Sequence, residues 1–160
     1  MLRPSVRIRL IDVDDIPGVS SLLQSLATEF IIHETPPELA QKFLEGNSPE
    51  GIAANIANGY VYHVAEDDGV VAGFIGMRER KHVFHLFVGK QWQGQGLSRR
   101  LWDTGRRAAM DAGGTAPFTV NASNHALNAY RHLGFVCTAP MAVKNGIPFN
   151  AMAWDGKSCR

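Results

Sequence analysis

The stretch "HLFVGKQWQGQGLSRRLW", His85 to Trp102, decides the fold. It runs from an apolar segment through a glutamine- and glycine-rich hinge into a basic, periodic segment. Glycines at this density mark places where backbone, rather than side chain, must come close to something. Upstream, "HVFHLFV" from His82 to Val88 is apolar on both faces and reads as a central, covered strand. Downstream, Leu97, Leu101, Trp102, Ala108, Ala109 and Ala112 form one stripe of a helix ended by Gly113-Gly114, with Arg99, Arg100, Arg106 and Arg107 mostly on its wet side. A strand that ends in glycines and feeds a helix presents free N–H groups at the positive end of the helix dipole, which is an anion site. A P-loop would need Gly-Lys-Ser/Thr, and a dinucleotide fold a third glycine where Arg99 stands; neither is present.

Working outward, Arg7 to Ile11 alternates charged and aliphatic residues as a first strand would. The cluster Asp12, Asp14, Asp15 suits a helix start, followed by Val19, Leu22, Leu23 and Leu26 at helical spacing. Thr35-Pro36-Pro37-Glu38 opens another helix, and "IAANIANG" from Ile52 adds a further helical piece. Two strands, Tyr60 to Ala65 and Val70 to Met77, flank Asp68-Gly69 as a hairpin turn. After the long helix, Pro117 to Ala122 reads as a strand, and a short helix runs from about Asn124 to a stop at Gly134. Asn145-Gly146 then introduces "GIPFNAMAW" as a last hairpin arm. The pattern predicts an α/β (α+β) fold: one domain over residues 1–160, with a mixed, largely antiparallel sheet flanked by helices.

The composition is 45% hydrophobic and 19% charged, as in a globular domain, and the net charge of +1 argues against a nucleic-acid binder working by bulk electrostatics. The cysteines, Cys137 and Cys159, are too few and too far apart for a disulfide framework or a metal cluster. His33, His63, His125 and His132 show no metal-ligand spacing, so no metal is expected. No apolar run suits a signal peptide or a membrane span, and a reducing, cytoplasmic setting without membrane attachment is the expectation.

Gln91-Trp92-Gln93-Gly94-Gln95-Gly96 matches the pattern Gln/Arg-x-x-Gly-x-Gly/Ala between a strand and a helix. At this point the chain resembles the GNAT superfamily of acetyl-CoA-dependent N-acetyltransferases. A second match, "NASNHALNAYRHLGFV" from Asn121 to Val136, is similar to that family's later strand and helix. The order of elements agrees as well, and the resemblance covers essentially the whole chain. It implies a sheet splayed after the central strand, with the pantetheine arm of acetyl-CoA lying in the wedge as an added strand. By the match, backbone groups of Leu86, Phe87 and Val88 bind that arm, and the amides of Gln93, Gly94, Gln95, Gly96, Leu97 and Ser98 cradle the pyrophosphate. Relatives often carry basic residues in the loop. Gln93 and Gln95 stand there in this chain, so neutralisation falls to amides, Lys90 or Arg99.

Tyr130 matches a tyrosine that in relatives can protonate the departing thiolate, a plausible transfer for a phenol of pKa near ~10 and a thiol near ~8.5. Its place on the inward stripe with Ala126 and Leu133 equally suits a core tyrosine. Asn121, Ser123, Asn124 and Asn128 surround the position where relatives often use an asparagine against the cofactor arm; Ser123 or Asn124 also suits an N-cap. An amine acceptor must lose a proton before attack, and many relatives use a glutamate on the central strand. This strand carries His82 and His85 instead, on opposite faces if it is regular. His85 is the preferred candidate base, and Glu79, in the turn before the strand, is the nearest carboxylate. The resemblance implies direct acetyl transfer to a primary amine of an unidentified acceptor, with a homodimer possible as in relatives. A non-catalytic acyl-CoA-binding or sensor domain is the other reading.

Overall fold

The computed structural model describes residues 3–156; Cys159 lies outside them. β1 (Val6–Leu10) precedes α1 (Ile16–Phe30). The acidic cluster between them forms a short 3-10 turn, Val13–Asp15, in which Asp12 and Asp15 make a capping box. Asp15 also holds Arg9 at 2.7 Å, so the cluster fixes the angle between strand and helix. α2 (Pro37–Gly46) starts at the proline pair. α3 (Pro49–Ala57) starts ahead of the expected Ile52, because Ser48 caps the Gly51 N–H and Pro49 suits the first helical turn.

β2 (Val61–Asp67) and β3 (Val70–Arg78) form the expected hairpin, with φ of 50° and 84° at Asp68 and Gly69. β4 (His82–Val88) has the bounds its apolar run predicts, and α4 (Leu97–Asp111) follows the hinge. Then come β5 (Phe118–Ala122), α5 (Leu127–Leu133), β6 (Val136–Cys137), β7 (Ala142–Lys144) and β8 (Ile147–Trp154). α5 begins later than Asn124, because Ser123 Oγ first accepts the Ala126 N–H in a separate turn.

The sheet order is β1-β2-β3-β4-β5-β8-β6, with β7 on β8. Every pairing is antiparallel except β4 with β5. One face packs on α4 and α5 through Leu97, Leu101, Trp102, Phe118 and Phe135. The other packs on α1 and α3 through Val19, Leu23, Ile52, Tyr62 and Phe74. Two expectations for α4 are corrected. Ala112 is exposed past the helix end, and Gly105 is buried in the stripe because an added Cβ would come within 3.0 Å of Ile75. Arg106 is not on the wet side: its side chain is 17% exposed, paired to Asp103 and laid 4.9 Å over the Trp154 ring.

β4 is not regular. His85 pairs with Gly76 and Val83 with Met77, so Phe84 is an extra residue opposite no partner, a β-bulge. The bulge resets the alternation. His82, whose imidazole bonds Thr119 Oγ1 at 2.8 Å, and His85, which bonds Tyr62, therefore share the α1–α3 face instead of lying on opposite faces.

Candidate active site

β4 and β5 pair only at His82 with Thr119 and Val83 with Val120, after which the strands part. On its other side β4 stays paired with β3 as far as Val88, and Gly89 N–H continues to Ala72 O at 2.8 Å. Backbone groups alternate in direction along a strand. Phe87 therefore turns its backbone to β3, where its carbonyl would lie 2.7 Å from a Cβ on Gly73. Leu86 and Val88 turn theirs into the gap. Of the three strand residues expected to offer backbone groups, Phe87 turns its own toward β3, though it too lines the cavity.

A cavity of about 360 Å³ occupies the gap. Leu86, Phe87 and Val88 form its floor; Trp92, Gln93, Gly94, Gly96, Leu97 and Ser98 form one end; Ser123, Ala126, Ala129, Tyr130 and Leu133 form the wall. From α1 and the residue after it come Leu26, Phe30 and Ile31. Phe30 stacks on His125 at 4.1 Å, joining α1 to the β5–α5 connection beside the cavity. Neither residue carries a local signal in the sequence that would pair them.

Gly94 and Gly96 have φ of 74° and 84°, and an added Cβ at either would meet nothing within 4 Å. Backbone conformation, not crowding, requires glycine there. The first α4 amide with a backbone acceptor is Arg100, which donates to Gly96 O at 3.2 Å; among the described residues the amides of Gly94 to Arg99 have no backbone acceptor. A row of free amides at a helix start suits the phosphates of a nucleotide. The side chains there are already committed. Gln93 donates to Val88 O at 2.9 Å, Gln95 to Gln91 O at 3.0 Å, and Arg99 to His132 O. Lys90 pairs with Glu29 at 3.1 Å and lies over the Phe30 ring. Gln95 and Arg99 do not line the cavity.

Tyr130 does line it. Burial raises its phenol well above the ordinary tyrosine value, and its Oη makes no hydrogen bond among the described residues. Ser123 also lines the cavity. Asn124 does not: it reaches Met141 Sδ and accepts from Asn150 at 2.9 Å. Asn128 is engaged with Arg131 on the outer face of α5.

His85 lies beneath the lining in a buried chain. Asn55 donates to Tyr62 Oη at 3.1 Å, and Tyr62 Oη bonds His85 Nδ1 at 2.8 Å. One proton is shared between Tyr62 Oη and His85 Nδ1, and burial lifts the Tyr62 phenol to about 12. Burial lowers the His85 pKa to about 3. Glu79 sits in the β3–β4 turn at φ 55°, with its side chain 81% exposed and 3.6 Å from Arg78. Among the described residues no group of three or more His, Cys, Asp or Glu is placed to hold a metal, and no helix is long and apolar enough to cross a membrane.

A largely antiparallel sheet that parts at one parallel junction, over a glycine hinge and a helix start, is the arrangement that the GNAT resemblance implies. The model of the Acetyltransferase (GNAT) domain matches residues 31–155, and the chain belongs to that family. No curated protein matches the sequence. Among solved structures, the chain is similar to the GCN5-related N-acetyltransferase of Rhodopseudomonas palustris (20% identity, 97% of this chain and 98% of that one, TM-score 0.77). It is also similar to the paia N-acetyltransferase of Thermoplasma acidophilum in complex with coenzyme A (13% identity, 94% and 99%, TM-score 0.78). A third is yncA of Salmonella typhimurium with its cofactor acetyl-CoA (21% identity, 97% and 96%, TM-score 0.67). At these identities the likeness is one of fold.

Proposed function

We propose that this chain transfers an acetyl group from acetyl-CoA to a primary amine by direct attack. The observation that carries the reading is the single-sided half of β4: Leu86 backbone and the Val88 N–H are unpaired beside a cavity that ends at the free amides of Gly94, Gly96, Leu97 and Ser98. An extended amide-bearing arm that ends in phosphates fits both features, and two fold neighbours hold coenzyme A or acetyl-CoA.

Acetyl-CoA supplies an acyl thioester. The amine nitrogen forms a bond to the acetyl carbon as the C–S bond breaks, and overall one proton passes from nitrogen to sulfur. Tyr130 is the proton donor at hand. Its raised pKa keeps the phenol protonated at neutral pH, and the same apolar wall raises the proton affinity of a thiolate beside it. Free amides along Leu86 and Val88 orient the arm and face the developing oxyanion. His85, with Nδ1 taken by Tyr62 and a second proton opposed by burial, holds the bulge in place rather than accepting the amine's proton directly. The Glu79 side chain points to solvent and serves at most through water.

Calorimetric titration with acetyl-CoA, with ATP and NAD as controls, tests the binding half; thiol release across amine classes tests the chemistry. Saturable 1:1 binding of acetyl-CoA alone, followed by amine-dependent thiol release, is expected. Binding without release for any amine would leave a sensor domain. Binding of ATP or NAD in place of acetyl-CoA would refute the reading.

A further inference from the structure

The α1–α3 face of the sheet carries a second feature at the point where β4 and β5 part. Arg78, the last residue of β3, pairs across the sheet with His82, and His82 with Thr119. Tyr60, just ahead of β2, and the bulged Phe84 complete the patch. Phe84 is 39% exposed, with Tyr60 edge-on to its ring at 5.1 Å. Arg78 lies over the same ring at 6.0 Å.

Arg78 is unlike the arginines that are held by a hydrogen-bonded partner. Arg9 is held by Asp15 and Glu66, Arg106 by Asp103 and Arg99 by a backbone carbonyl. The Arg78 Nε is buried with no hydrogen-bond partner, and its ionic neighbour, Glu79, stands 3.6 Å away on a mobile-length side chain facing solvent. His82 beside it is held neutral, its pKa lowered to about 4 by burial and by Arg78 itself. A guanidinium with free donors presents a planar fork that matches a carboxylate. A half-exposed aromatic pair beside it takes a flat apolar group. Burying Phe84 under a ligand would also remove the largest aromatic exposure near the wedge.

We infer that this patch is the acceptor subsite, and that the acceptor is a small primary amine carrying both a carboxylate and an aromatic group, of the class of aromatic amino acids. The carboxylate sits on Arg78, displacing Glu79, and the ring packs against Phe84 and Tyr60. The amine then stands at the parting of β4 and β5. The inference rests on the acetyl-transfer reading above, and both the bulge and the absence of a carboxylate on β4 serve it: the carboxylate beside Arg78, that of Glu79, is on an exposed side chain that the acceptor's own can displace.

Two readouts test it. Initial rates of thiol release are compared for phenylalanine, phenylalanine amide, phenethylamine and alanine. Binding of N-acetylphenylalanine and of N-acetylphenethylamine to the CoA-loaded protein is followed by NMR line broadening. Phenylalanine is expected to exceed each of the others by about tenfold or more in kcat/KM, the size of one good charge-assisted pair. Arg78→Met should lose that advantage, mainly through KM, and Arg78→Lys should restore part of it. Phe84→Ala should bring phenylalanine down toward alanine. Thiol release that is equal with phenylalanine and phenethylamine would overturn the subsite while leaving acetyl transfer standing. If no amine supports turnover, the product pair decides: equal binding of the two N-acetyl compounds, or binding unmoved by Arg78→Met, overturns the subsite. Failure of acetyl-CoA to bind at all would overturn the transfer reading itself.

Discussion

The two halves of β4 contrast. His82 and Val83 are paired on both sides, by β3 and β5, and are further tied by the His82–Thr119 bond. Leu86 to Val88 are paired on one side only, with a cavity on the other. The bulge at Phe84 separates them. A strand in the middle of a sheet normally has both rows of backbone groups satisfied, and leaving one row open costs stability unless something else pairs with it. The closed half and the bulge provide the rigidity that holds the open half in register, and the open half is where a ligand can pair.

The contrast can be broken at three places. The largest effect is expected above the open half. Tyr130→Phe should lower turnover about 100-fold, within the usual range for a positioned proton donor, while acetyl-CoA affinity stays within about twofold. Thiol-release rates and calorimetry on the same variant check this, and unchanged turnover would remove Tyr130 from the chemistry. Next comes the bulge. Tyr62→Phe takes the hydrogen-bond partner from buried His85 Nδ1 and the acceptor from Asn55, and should cost about 1–3 kcal/mol in denaturant unfolding.

A third effect is read from pH. His85 has a folded pKa near 3 against 6.5 for the ordinary side chain. Below about pH 6.5 the unfolded chain takes up a proton that the folded chain refuses. The neutral histidine's contribution is therefore complete above that pH and is lost as pH falls toward 3, at up to about 1.4 kcal/mol per pH unit. Denaturation midpoints between pH 7 and 5 should fall for the wild type and fall less for His85→Phe.

The sequence makes the closed framework legible and hides the irregularities. The Asp68-Gly69 turn, the β4 bounds and the start of α4 are each marked by local chemistry: left-handed turn residues, an unbroken apolar run, and glycines before a periodic stripe. The bulge is invisible for a related reason. "HVFHLFV" is apolar on both faces, so it carries no two-residue phase that a slip could interrupt, and the faces of His82 and His85 cannot be read from it. β6, two residues long, is too short to show any period. In the site, the hinge glycines and Tyr130 lie on recognisable spacings. Which of Ser123, Asn124 and Asn128 faces the cavity depends instead on Asn150 and Met141, which reach Asn124 from distant parts of the chain. The Phe30–His125 stack and the free Arg78 fork are likewise products of tertiary packing.

Amide hydrogen exchange resolved at β4, with and without acetyl-CoA, tests most directly whether the open half is a binding edge. Saturating acetyl-CoA should slow exchange at Leu86 and Val88 by about tenfold or more, while Val83, already paired on both sides, changes little. If acetyl-CoA binds and the Leu86 and Val88 amides exchange as before, the ligand does not pair with this strand and the wedge is not its site.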